Sequence, residues 1–190
     1  MVSGRTGLVD DHERACDGFA AVTAQVPDDR WVAPTPCTEW DARALVEHVI
    51  GFHEFLLLRP MGVRANRPKG GPPADRWRAT QDAMSAALHV DGAVDAETEL
   101  PGGGTTRPRD MLAALTNDVL VHTWDLGVAT GVPVDLDPEL TAAAFARVDG
   151  TDPGRSAGMV GPEVPVGPDA PIEARLLGYY GRDPEWRPPR

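Results

Sequence analysis

Residues 106–129 carry the most regular pattern in the chain. Met111, Leu115, Asp118, His122, Asp125 and Ala129 recur at three- and four-residue steps and fall on one stripe of an α-helix. Leu112, Val119 and Leu126 line one side of that stripe, and Ala114 and Val121 line the other. Two carboxyls and an imidazole therefore interrupt a face that is otherwise apolar. Residues 38–58 repeat the anomaly. Asp41, Leu45, Val49, Phe52 and Leu56 mark an apolar stripe with His48 at its edge. Thr38-Glu39-Trp40-Asp41 resembles a capping box that opens this second helix, and Pro60 bounds it.

Further helices are predicted over 9–24, 74–88, 138–148 and 171–180. Pro27-Asp28-Asp29 reads as a turn, and 31–37 as extended, because proline disfavours helix at the residue before it. Residues 61–73 read as a loop, 94–100 as extended chain, and Gly102-Gly103-Gly104 as a flexible turn. The long helix over 106–129 closes at Gly131 and Pro133. The expected architecture is mainly α: a four-helix bundle over 1–133, with 134–190 as a C-terminal extension packed on it. The Gly/Pro-rich passage 150–168 and the loop 60–73 are the expected pocket walls.

The charge changes what this bundle can bind. At −11, with Lys69 as the only lysine, the chain lacks the basic face that nucleic acid or an anionic membrane surface requires. No apolar run is long enough to span a bilayer, and the N-terminal stretch lacks the apolar core of a signal peptide, so the expected location is cytoplasmic. Cys16 and Cys37 do not form C-x-x-C and read as two separate thiols. The three-glycine turn lacks the Lys-Ser/Thr of a phosphate loop.

A buried carboxylate must be paired, hydrogen-bonded or bound to a cation. Asp118 and His122 lie one helical turn apart, and His48 adds a second imidazole from another apolar face. Two histidines and a carboxylate hold zinc and leave a fourth position open; the same set suits iron, nickel or manganese. The plain alternative is a hydrogen-bonded Asp–His pair and satisfied core histidines. The spacing is not that of H-E-x-x-H, and Val119, Leu120 and Val121 supply no general base between the ligands. Asp125, one turn past His122, orients a ligand histidine or binds an amine or hydroxyl of a cofactor; otherwise it accepts an N–H within the bundle. His53 is rotated away from His48. His12 and His89 read as surface groups. Trp31 and Trp40 bracket the proline turn and pin it, and Trp124 packs against the tail. Cys37 reads as a small residue before the helix cap. Arg182 and Asp183 read as a terminal turn, with lining of the site mouth as the alternative.

Three strings carry a resemblance. Residues 31–40 read W-V-A-P-T-P-C-T-E-W, 117–131 read N-D-V-L-V-H-T-W-D-L-G-V-A-T-G, and 175–186 read R-L-L-G-Y-Y-G-R-D-P-E-W. Together they resemble the metal-binding proteins of the DinB/YfiT-like superfamily, and within it the actinobacterial branch related to mycothiol-dependent maleylpyruvate isomerase. The resemblance implies a four-helix bundle with one long crossover and a divalent metal, zinc by first choice with Ni2+ or Fe2+ as alternatives. It places the ligands at His48, Asp118 and His122. It also implies mycothiol as cosubstrate, with the thiolate attacking an electrophile in S-transfer or cis–trans isomerisation, in a monomer or homodimer. Aspartate at position 118 departs from the glutamate of the isomerase, so the ion sits differently or is held more weakly. Thiol-independent hydrolase or lyase chemistry and a non-catalytic metal-binding module remain the competing readings.

Overall fold

The computed structural model describes residues 3–148, 155 and 160–189, with backbone alone for 3–6. The described chain is mainly helical. Its elements are α1 (Ser3–Thr23), α2 (Ala42–His53), α3 (Pro73–Leu88), α4 (Pro108–Thr130), α5 (Pro138–Ala146) and α6 (Ile172–Tyr179). A two-residue antiparallel pair, β1 (Thr98–Glu99) and β2 (Thr105–Thr106), sits between α3 and α4. No helix among the described residues is long and apolar enough to cross a membrane.

Helix α4 lies against both α1 and α2, and α3 packs on the same two helices. That central place explains its composition. Residues on every side of its later turns are buried, from Leu115 through Leu126 to Thr130, so it lacks the one-sided pattern of a surface helix. Thr116, Thr123 and Thr130 survive in this setting because each hydroxyl donates to the carbonyl four residues back, at 2.7 Å. Gly131, at φ 80°, ends the helix with its N–H donating to the Gly127 carbonyl at 2.8 Å. Phe19 and Trp77 meet edge to face at 4.9 Å and join α1 to α3. Arg76 of α3 grips the Glu47 carboxylate of α2 with two hydrogen bonds, 2.5 and 2.7 Å long.

Several boundaries differ from expectation. Helix α1 begins at Ser3 rather than near 9. The Thr38 capping box does not form. Asp41 is the N-cap of α2, its carboxylate accepting from the Ala44 N–H at 2.8 Å. Upstream, the chain folds back on itself: Ala42 and Arg43 N–H donate to the carbonyls of Ala33 and Trp31. The Thr35 hydroxyl bonds the carbonyls of Cys37 and Trp40, holding 35–40 as a tight turn that occupies the backbone a longer helix would need. Beyond His53 the helix widens into one π turn, Glu54–Leu58. Of the extended 94–100 only Thr98–Glu99 is strand, and Ala93–Asp95 is a short 3-10 turn. Part of the 150–168 passage lies outside the described residues.

The tail is seated by two glycines. A Cβ on Gly127 would stand 1.9 Å from Val134 Cγ2 and 2.9 Å from the Val132 carbonyl oxygen, and one on Gly178 would stand 2.6 Å from the Val164 carbonyl oxygen. Val164 N–H donates to the Gly178 carbonyl at 2.9 Å. Glycine at these positions lets 132–134 and 164–166 lie directly on helix backbone. Gly127→Ala is expected to lower stability by about 1–3 kcal/mol through overpacking. Gly51→Ala, whose Cβ would meet nothing within 4 Å on α2, should raise it by roughly 0.5–1 kcal/mol. Urea unfolding midpoints measure both; equal midpoints for the two variants would sink the packing argument.

Candidate metal centre

Helices α2 and α4 pack side by side and turn His48, Asp118 and His122 toward one point. Asp118 Oδ1 lies 3.4 Å from His122 Nε2 and 3.6 Å from His48 Nε2. Both separations are longer than a good N–H···O hydrogen bond. They match the edges of a coordination tetrahedron: donors about 2.0–2.2 Å from a shared zinc stand about 3.3–3.5 Å apart. The other Asp118 oxygen, Oδ2, is buried and has no hydrogen-bond partner. A carboxylate so placed is short of positive charge. One donor atom from each of the three residues falls within 4.8 Å of the other two, a group that could hold a metal ion.

The surroundings orient these side chains. Asp125 is fully buried, and its Oδ2 accepts from His122 Nδ1 at 2.9 Å. That bond keeps a proton on Nδ1 and turns Nε2 toward Asp118. Arg182, from just past α6, donates to Asp125 Oδ2 from Nη2 at 2.8 Å and contacts both oxygens from Nε at 3.2 Å. The same Nη2 lies 2.7 Å from Cys37 Sγ, which is 3.5 Å from Asp125 Oδ2. Trp40 stacks on His48 with ring centroids 4.1 Å apart, and Phe52 stacks on it from another side at 5.7 Å. The site thus has aromatic walls, an acidic core and one half-buried guanidinium.

Electrostatics follow from this packing. Burial works against charge on Asp118, but the two imidazoles override it and hold the carboxyl below its ordinary range. Burial likewise opposes charge on His122, and Asp118 and Asp125 together push its pKa well above the usual value. Asp125 is also held low against its burial, by His122 and Arg182. A metal ion at His122 Nε2 would have to displace a proton.

His48, Asp118, His122 and Asp125 all meet here. Trp40 and Cys37, which the sequence marks as a pinning residue and a cap neighbour, both border the site. Arg182, whose leading reading was a terminal turn, reaches its centre. Such contacts across 57 and 145 residues leave no local spacing to read. His89 is exposed and paired with Glu13, but His12 is not a surface group: it is 1% exposed, because α1 turns it to the same face as Val9, Cys16 and Phe19.

The fold and this cluster define a class: helical proteins that present two histidines and a carboxylate from neighbouring helices. Residues 12–127 match the family model described as the mycothiol maleylpyruvate isomerase N-terminal domain, and the chain belongs to that family, within the DinB/YfiT-like superfamily. Two relatives from two strains of Mycobacterium tuberculosis, each described as an uncharacterized protein, are 38% identical over 189 residues; the match covers 90% of this chain and 95% of each relative. No solved structure matches the chain significantly.

Replacing Arg182 by alanine would leave a fully buried carboxylate with His122 as its remaining charged partner. Stability is expected to fall by about 1.5–3 kcal/mol, read from the urea midpoint, with Arg182→Lys recovering part of the loss. An unchanged midpoint in Arg182→Ala would show that the guanidinium does not hold Asp125.

Proposed function

We propose that this protein binds one divalent cation, zinc by first choice, through His48 Nε2, Asp118 and His122 Nε2, and uses it with mycothiol in S-transfer to an electrophile or cis–trans isomerisation. On this reading the four long helices form a DinB/YfiT-type bundle. The observation that carries it is Asp118: one oxygen lies between two imidazole nitrogens at ligand-edge spacing, and the other is buried without a partner. Family membership supports the choice of thiol.

When bound, the cation supplies the positive charge that keeps a thiol in its nucleophilic thiolate form at neutral pH. The chain's own residues do the rest. Asp125 holds the His122 proton on Nδ1, so that Nε2 remains a donor to the ion. Arg182 neutralises Asp125 and keeps it from drawing the ion away from Asp118. Trp40 and Phe52 fix the ring plane of His48 and shield it from water on the faces they cover. Three protein ligands leave a coordination position for the thiol.

Metal analysis of protein purified without chelators should give about one equivalent per chain less in His48→Ala and in His122→Ala than in the unsubstituted protein. Asp125→Asn should weaken metal affinity about 10–100-fold, as expected for a group that orients a ligand histidine. Mycothiol should bind the loaded protein and not the stripped one, and electrophile consumption should require both. Turnover in thiol-free buffer would instead favour metal hydrolysis or lyase chemistry. Metal binding with no electrophile consumed would favour a non-catalytic module. Full activity after chelation would end the proposal.

A further inference from the structure

A second constellation lies in the core between α1, α2 and α4. His12 and Cys16 stand one turn apart on α1, with His12 Nε2 3.5 Å from Cys16 Sγ. His53, at the end of α2, brings a ring nitrogen to within 4.8 Å of both donors. The two imidazoles stack at 5.2 Å. All three residues are buried, His53 completely.

The ring protons can be assigned from the partners. Thr116 uses its only hydroxyl hydrogen on the Leu112 carbonyl at 2.7 Å, so it can only accept from His12 Nδ1, 3.3 Å away. His53 Nδ1 lies 2.7 Å from the Val49 carbonyl, which can only accept. Both protons therefore sit on Nδ1, and both Nε2 atoms carry unprotonated lone pairs, that of His12 accepting from the Cys16 thiol. His12 Nε2 faces the thiol, and His53 Nε2 is buried with no partner at all. An imidazole whose far N–H is tied to an oxygen and whose Nε2 is bare is the usual arrangement of a metal ligand.

We propose that His12, Cys16 and His53 form a second, separate site for a thiophilic d10 cation, Zn2+ or Cu+. The observed 3.5 Å between sulfur and nitrogen fits one: ligands at about 2.3 Å and 2.0–2.1 Å from a tetrahedral ion stand about 3.6 Å apart. Soft sulfur with two imidazoles selects such cations over magnesium or calcium. Cys16 enters as thiolate and releases its proton to solvent; nothing is oxidised. Two neutral imidazoles and one thiolate cancel the charge of Cu+ and leave Zn2+ with one net positive charge, so burial favours the monovalent ion. A cleft of about 350 Å³ reaches His12 and Cys16 from the α1–α3 surface, with Glu13, Asp17 and Asp82 among its lining residues and the Met84 thioether beside them. That rim is suited to admit a cation.

The test uses His122→Ala, in which the first centre is disabled, titrated anaerobically with Co2+ as a spectroscopic stand-in for zinc and separately with Cu+. One equivalent with sulfur-to-metal charge-transfer absorption is expected in at least one arm, and the arm that shows it identifies the ion's charge class. Adding Cys16→Ser should abolish the band; adding Cys37→Ser should leave it. Circular dichroism and urea midpoints establish that each variant is folded, and the conservative serine keeps the volume at position 16 nearly constant. A folded His122→Ala protein with no band in either arm would overturn the proposal, as would a band that depends on Cys37 and not on Cys16.

Discussion

The interior carboxylates of α4 are the constraint to which the rest of this molecule answers. Helical periodicity carries Asp118 and Asp125 into the core with the leucines around them, and desolvation makes each costly unless it meets positive charge. Asp125 meets it twice, in His122 at 2.9 Å and in Arg182 at 2.8 Å. The second of these reaches 57 residues along the chain, so the residues after α6 are drawn back onto the middle of the molecule. Cys37 is caught in the same knot. Asp118 meets only imidazole nitrogens on one oxygen and nothing on the other. The difference between the two aspartates separates a group that organises the fold from one left open to a ligand.

Much of this was legible because helices write their faces into the sequence. The 118, 122, 125 spacing on α4 and the edge position of His48 on α2 follow from a period of 3.6 residues, and the structure brings those four residues together. His12 was legible by the same rule and misread: its neighbours Asp10, Asp11, Glu13 and Arg14 are charged, but Val9, Cys16 and Phe19 share its face. Immediate neighbours are a poor guide on a helix, where residues three and four apart decide burial. The start of α2 failed for another reason. Thr38 offered a capping pattern, yet the competing hydrogen bonds of 31–43 include tertiary back-folding that a local motif cannot report. Arg182 and Trp40 act on the site through contacts whose partners no spacing announces.

The helix that carries Asp118, His122 and Asp125 is also the one most enclosed by its neighbours. Donors set on such an element hold their positions better than donors on a loop. Trp40, by contrast, comes from the turn before α2, which is pinned by the Thr35 hydroxyl and by backbone hydrogen bonds to 31–33. The indole is thereby fixed over His48 without belonging to a helix. Donor side chains on helices and a pinned aromatic cover leave the loops around them as the adaptable part of this region.

The two clusters of donors are built to one plan and share one helix, α2. In each, a histidine of α2 faces a histidine from a neighbouring helix: His48 faces His122, and His53 faces His12. In each, the second nitrogen of at least one ring is tied to an oxygen acceptor, so that Nε2 turns inward. They differ in the third donor. A carboxylate completes the first cluster and a thiol the second, which makes the first hard and partly open and the second soft and enclosed. The Asp118 charge is felt at both His12 and His53. One carboxylate thus biases the electrostatics of both clusters, and a cation that neutralises it in the first withdraws some of the negative potential available to the second.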